Sequence, residues 1–449
     1  MKPILLLPLL AAALCAQDTR HVTEPSIPPA CATLDAQLTF EAINAGENIL
    51  DTERIQKAMD SCGQGKAVVL KISGANNAFL TGPLQLRAGV TLVVDQGATL
   101  FASRNPRLYD TTPGVCGTIT QKGHGCKAML NGEGVSGAGV MGDGTIDGRG
   151  GAKIMGQNIT WWDLAEQARK GGTQNNPRIL ILDHCDNFTL YRITLKDSPN
   201  FHVSYNFGNG FTVWGVKINC PHNARNTDGI DPGNSRNVTI THCFIHTGDD
   251  HVALKAGLPG PTTQMTIVHN HFYTGHGMSI GSETAGGASA ILVSDLSIDG
   301  ADNGLRIKSN SYKGGVVKDI VYDRVCIRDT RNPIYMDSDY EHGGRDGKLL
   351  PQFTGIVLNN VRILDGGKLT LQGFDAAHKL AMTFFNVTLA DPARIKVLAE
   401  HADLKLGGGS TDFHPTGDDV HVTDNKSKGN ANACEGMFVP FPGKISVKE

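Results

Sequence analysis

The sequence predicts an all-β chain folded as a single-stranded right-handed parallel β-helix, a solenoid closed at its N-terminal end by a short capping helix. Three observations carry this expectation. Segments headed by Phe188, Phe211, Val238, Met265, Ile291, Ile320, Ile356 and Met382 align as alternating apolar and polar runs, at steps of roughly 23 to 36 residues, within the range of solenoid repeats. Each run has the period-two pattern and β-branched content of a strand, and Gly, Asn and Asp interrupt between runs. Nothing between them reads as the helix of about 10 to 15 residues that alternates with strands in an α/β fold. Parallel strands need a return path, and a coil of short strands and turns supplies one. Since no coil buries its inward apolar row alone, neighbours must cover it above and below, at about 4.8 Å per rung.

Along the chain, Met1-Lys2, the apolar run from Ile4 to Leu14 and the small residues around Ala13 to Ala16 read as a secretory signal peptide, residues 1–16. Cys15 raises lipoprotein processing as an alternative, against which stands the bulky Leu14 before it. Asp51 to Met59 reads as a capped helix with Ile55, Ala58 and Met59 on one face, suited to cover the open end of a solenoid. Strand-like runs follow from Val68 to Ala102 and from Val135 to Ile146, and then the repeat. The pattern weakens after Leu389, and Gly407-Gly408-Gly409-Ser410 opens a polar tail. With no linker inside the repeat, residues 17–449 are expected to form one domain.

Composition narrows the function. The net charge of −3 and the modest charged content exclude a nucleic-acid binder and a membrane-surface protein, and no stretch after the signal segment approaches the 18 or so apolar residues of a membrane span. The chain is expected to be secreted, extracellular or periplasmic, and monomeric. Without Cys15 nine cysteines remain, an odd number that leaves at least one thiol. Cys116 with Cys126 is the leading local disulfide and Cys31 with Cys62 the second, whereas Cys185, Cys220, Cys243 and Cys326 lie in or beside core strands and read as buried thiols.

Four polar motifs fall at similar places in successive repeats: Asn226-Thr227-Asp228-Gly229-Ile230-Asp231, Gly248-Asp249-Asp250-His251, Gly275-His276-Gly277 and Arg306-Ile307-Lys308. Alone, Asp249-Asp250 is most simply a solvated turn. With Asp228 one coil earlier, however, three carboxylates converge, and like charges held together raise at least one pKa. A protonated acid beside ionised neighbours is what hydrolysis of a glycosidic bond requires. An isolated Gly-His-Gly is a turn, but His276 stands one rung beyond the carboxylates. Arg306 and Lys308 flank inward-pointing Ile307, so both face outward, where two cations suit the carboxylate of an anionic substrate.

These motifs, in this order and together with Gly142-Asp143-Gly144-Thr145-Ile146-Asp147-Gly148-Arg149-Gly150 and Trp161-Trp162-Asp163, resemble family-28 glycoside hydrolases and among them the bacterial polygalacturonases, over roughly Asp51 to Tyr340. The resemblance implies hydrolysis of α-1,4 links of polygalacturonate, the pectin backbone, with inversion. It makes Asp249 the proton donor, Asp228 and Asp250 the activators of water, His276 a partner within the cluster, Arg306 and Lys308 the substrate-carboxylate binders and Asn226 a supporting residue. No cofactor and no metal are expected, since the carboxylates serve as acid and base. Asn332 stands where fungal members carry a substrate-binding tyrosine, and Tyr335 reads as facing elsewhere. Endo action is expected because no inserted domain blocks the cleft. Exo action, a rhamnogalacturonan hydrolase, a calcium-dependent pectate lyase and a non-catalytic carbohydrate-binding β-helix are the competing readings.

Overall fold

The structure, a computed structural model, describes residues 17–44, 47–342, 345–408, 413–424 and 434–446; the expected signal peptide and Gly409-Ser410 lie outside them. The described chain is a parallel β-helix whose coils fall into two compact units. One comprises Val22–Asp231 with Cys243–Asp249 and residues 443–446; the other comprises Asp250–Pro442 with Pro232–His242 and the segment ending at His21.

In the first unit, three walls of parallel strands enclose the core. Lys66–Lys71, Val90–Val94, Gly139–Met141, Phe188–Tyr191 and Asn209–Trp214 form one. Ala78–Thr81, Thr99–Ala102, Thr145–Asp147, Thr194–Lys196, Lys217–Asn219 and Phe244–His246 form the second. Leu84–Gln85, Leu130–Glu133, Leu180–Asp183 and Val203–Asn206 form the third. In the second unit a wall of long strands, Thr262–Phe272, Ala288–Asp299, Val316–Arg328 and Gln352–Ile363, accompanies a wall of short ones, Val252–Leu254, Met278–Ile280, Asn303–Lys308, Asn332–Asp337, Gly367–Gln372 and Ile395–Glu400.

The repeat heads are the inward columns of these walls. Phe188 pairs with Phe211 in the first unit, and in the second Val238, Met265, Ile291, Ile320, Ile356 and Met382 each pair with the next. All are buried. The column does not stop where the sequence pattern fades: Met382 continues to Leu404 and Val422, through the strands Ala402–Leu406 and Val420–Asp424. The last strand is exposed over most of its length, because no further coil among the described residues covers it.

The expected capping helix spans Thr52–Asp60, with Ile55 and Met59 buried and Ala58 at the margin. Asp51 fixes its start, accepting hydrogen bonds from Leu80 N at 2.8 Å and Arg54 Nε at 2.6 Å. A second helix, Trp161–Gln167, was not foreseen in the sequence; it opens on a capping box of Thr160 and Asp163. Its Trp162 donates Nε1–H to Ser198 O at 2.9 Å, and a Cβ at Gly150 would meet Trp162 Nε1 at 2.3 Å. The glycines after Arg149 are therefore the seat of this indole.

Cys31–Cys62 and Cys116–Cys126 are bonded as expected. Cys326 is a correction: rather than a buried thiol it is bonded to Cys434, 108 residues on. Its strand edge meets the C-terminal segment, whose Val439 O accepts from Tyr273 Oη at 2.9 Å. Cys185, Cys220 and Cys243 are buried free thiols.

Because Ile291 is fully buried and flanked by Met265 and Ile320, Ile291→Ala opens a cavity between rungs that cannot collapse without breaking register. The expected loss is about 2–5 kcal/mol, read as a lower urea midpoint in equilibrium unfolding.

Candidate active site

The short-strand wall of the second unit sets the positions. Val252 pairs with Met278 and Met278 with Leu305, so Asp250 and His276 stand at the same offset, two residues before their paired partners. Ser279 pairs with Arg306, and Arg306 with Tyr335. Alternation along a strand then sends Ile280 and Ile307 into the core and Ser279, Arg306 and Lys308 outward.

Asp250 is almost wholly buried, at 1 % side-chain exposure, and its two oxygens are gripped from three sides. Oδ1 accepts from Ser279 Oγ at 2.6 Å and from Arg306 Nη1 at 3.1 Å, while Oδ2 accepts from Lys308 Nζ at 2.7 Å. Burial pushes this carboxyl up, but Lys308, Arg306, His276 and Lys255 together outweigh it and hold the group well below the usual carboxylate range. Asp250 is thus not the carboxylate that crowding raises, because two cations stand within hydrogen-bonding distance of its oxygens. Arg306 and Lys308 themselves are drawn inward onto Asp250 and are only 8 % and 9 % exposed.

His276 presents its ring beside this group: its ligand atom lies within 4.8 Å of an Asp250 oxygen, and Nε2 lies 3.4 Å from Asp302 Oδ2. His251 positions the turn that carries it. The His251 ring lies flat on Phe272 with centroids 4.7 Å apart, Nδ1 accepts from Gly277 N at 3.0 Å, and Nε2–H donates to Tyr273 O at 2.9 Å. Those partners require the neutral Nε2–H tautomer. His276 and Asp250 have the donor types a divalent cation takes, but Lys308 and Arg306 already neutralise Asp250, and their charge opposes a metal there.

The other residues of the sequence motifs lie in the first unit. Asn226, in left-handed backbone with φ 56°, accepts Gln174 Nε2–H on its Oδ1 at 3.0 Å, which turns its Nδ2 toward Asp249 Oδ2, 3.5 Å away. Asp249 is half-buried, and its loop is fixed by Thr227, whose Oγ1 donates to Ala224 O at 2.7 Å and accepts from Gly248 N at 3.0 Å. Gly248 has no alternative, since a Cβ would sit 2.1 Å from Ala224 O. Asp228 is buried, and its carbonyl takes both the backbone N–H and the Nδ1–H of His202, at 2.8 and 3.0 Å. Burial pushes His202 down to about 4, so it is neutral at neutral pH.

The family model for glycosyl hydrolases family 28 matches residues 62–370. The chain belongs to this family. It is 42 % identical over 386 residues to an endo-polygalacturonase of Pectobacterium carotovorum subsp. carotovorum, covering 86 % of this chain and 92 % of that one. A polygalacturonase of Ralstonia nicotianae is 41 % identical, over 94 % of this chain and 92 % of its own. Among solved structures, the polygalacturonase from Erwinia carotovora ssp. carotovora superposes with a TM-score of 0.81 at 40 % identity, over 86 % of this chain and all of the other. The protein is thus a glycoside hydrolase.

Sequence reasoning missed several contributors to this family-28 site. Ser279, Asp302 and Gln174 carry no motif; Ser279 alone was findable, as the outward residue one rung before Arg306. Tyr335 is a correction: it shares the face of Arg306, with the guanidinium 5.5 Å from its ring, and does not point elsewhere. Tyr340 covers both cations, 5.2 Å from the Arg306 guanidinium and 5.3 Å from Lys308 Nζ. Asn332, by contrast, bonds Asp302 O and Asn303 Oδ1 at the strand entrance.

A carboxyl depressed below its ordinary 3.8 on folding contributes stability that is complete above that value and is lost as pH falls through the folded-state value. Asp250→Asn, which leaves two buried cations without their carboxylate, is expected to cost about 3–5 kcal/mol at neutral pH. The gap to wild type should narrow below pH 3.8, as urea melts across a pH series would show.

Proposed function

We propose that this chain hydrolyses the α-1,4 linkages of polygalacturonate by inversion, as an endo-acting enzyme exported to an oxidising compartment. The observation that carries the mechanism is the unlike surroundings of consecutive aspartates: Asp250 is held ionised by Lys308, Arg306 and Ser279, whereas Asp249 faces the neutral amide of Asn226. An anion with fixed charge serves as base, and that fixed charge on the adjoining residue favours a proton on Asp249, which can then be passed on. Asp249 then protonates the leaving oxygen, and Asp228 and Asp250 activate the water. His276, within reach of Asp250 and Asp302, maintains that proton arrangement.

Arg306 and Lys308 bind the galacturonate carboxylate beside the cleaved bond. A guanidinium has five N–H donors and an ammonium three, so one contact to Asp250 does not exhaust either. Export is supported by the three disulfides, which persist in oxidising compartments, and endo action by the name of the Pectobacterium relative. No helix among the described residues is long and apolar enough to cross a membrane.

Asp249→Asn keeps the shape and removes the donor, so turnover on polygalacturonate should fall about 10² to 10⁴-fold with the melting temperature nearly unchanged. Wild type should release saturated oligomers and new reducing ends in the presence of chelator. Near-full activity in Asp249→Asn dismisses the assigned role, and a chelator-sensitive reaction with ultraviolet-absorbing unsaturated products makes the enzyme a lyase.

A further inference from the structure

The short-strand wall of the second unit carries a charge pattern beyond the residues so far assigned. Its inward column, Leu254, Ile280, Ile307, Met336 and Leu371, is paired rung to rung and fully buried. One residue further along each strand the chain faces outward again. That outward column reads Lys255, Gly281, Lys308, Asp337, Gln372 and Glu400, with Lys308 to Glu400 paired in register and Gly281 N bonded to Leu254 O. Lys255 therefore stands two rungs from Lys308, about 9–10 Å along the wall.

The residue between them is necessarily glycine. Gly281 has φ +101°, and a Cβ there would lie 2.0 Å from Lys308 O. Gly281 therefore contributes no side chain to the outward column between the two lysines. Electrostatics tie them together: Lys255 helps depress Asp250, and beside Glu283, where burial acts the other way, it is the foremost of the cations that lower that carboxyl, ahead of Lys313 and Lys308. Past Lys308 the sign reverses. Asp337 accepts from Tyr335 Oη at 2.5 Å and Glu400 from Gln372 Nε2 at 3.2 Å, so this end of the column is anionic.

We infer that Lys255 is a second substrate-carboxylate residue, binding a galacturonate unit remote from the cleaved bond on the side away from Asp337. The inference rests on the polygalacturonate reading above. A chain with one carboxylate per sugar is attracted along the Lys308–Lys255 side and repelled toward Asp337 and Glu400, so bound length extends in one direction. Lys255 accordingly sets how many sugars beyond the cleaved bond contribute to binding, and which bond of a short oligomer is cut.

The test is hydrolysis of galacturonate oligomers of graded length by wild type, Lys255→Gln and Lys255→Arg, with melting temperatures alongside. A charge-assisted contact predicts a kcat/KM lowered about tenfold to hundredfold in Lys255→Gln for the longer oligomers. The loss should grow with oligomer length, the cleavage position in intermediate oligomers should shift, and Lys255→Arg should recover most of the loss. A Lys255→Gln enzyme equal to wild type at every length overturns the inference, as does one impaired equally at every length, which marks a merely structural lysine. A wild type inert on all galacturonate oligomers overturns the substrate reading, and this inference with it.

Discussion

In-register stacking of parallel coils is the constraint on which the rest depends. Because Met265, Ile291, Ile320 and Ile356 lie directly over one another, every change of face along one strand is copied by its neighbours. Inward positions become continuous apolar columns, and outward ones become columns of function. Arg306 and Lys308 can converge on one carboxylate because Ile307 between them is held in the core by Ile280 below and Met336 above. A slip of one residue would exchange those roles, so the hydrophobic column and the charged site are two faces of one register.

The same stacking explains how adjacent aspartates acquire unlike surroundings. Asp250 lies two residues before the strand Val252–Leu254 and meets the outward residues of the rungs beside it, two of which are cations. Asp249, one peptide earlier, belongs to the loop that Thr227 pins to Ala224 and meets the amide that Gln174 orients. The environment of each is fixed by groups from other coils rather than by its own sequence neighbours. His251 extends this logic: buried, neutral and stacked on Phe272, it spends both ring nitrogens on backbone groups of the turn that presents His276.

The fold was legible because a solenoid writes its core as a periodic apolar signal, and the heads from Phe188 to Met382 proved to be the paired positions themselves. Legibility failed where the period did not set the structure. The helix Trp161–Gln167 is only seven residues long, so its buried Trp161, Leu164 and Ala165 read no differently from a short apolar run, and Val422 lies in a strand of five mostly exposed residues. At the site, residues grouped in motifs were readable, and those contributed singly from other coils were not. Ser279 and Tyr340 reveal themselves only once register and loop path are known. Cys326 was misread because its partner sits beyond the repeat, where no spacing argument reaches. The direction of the Asp250 shift was likewise hidden, since it depends on whether two cations face a substrate or a carboxylate of the protein.

The Cys326–Cys434 bond has a polymer consequence for the end of the solenoid. Terminal coils of a repeat array peel first, because each is held by one neighbour only. Here the strands Gln352–Ile363, Leu380–Phe385, Ala402–Leu406 and Val420–Asp424 all lie between the bonded cysteines. A coil that detaches therefore remains inside a covalent ring and gains far less freedom than a loose tail would. Nor does peeling deliver a free end to an exopeptidase: it offers only a loop, which must be cut internally before the array can be unwound from its last turn.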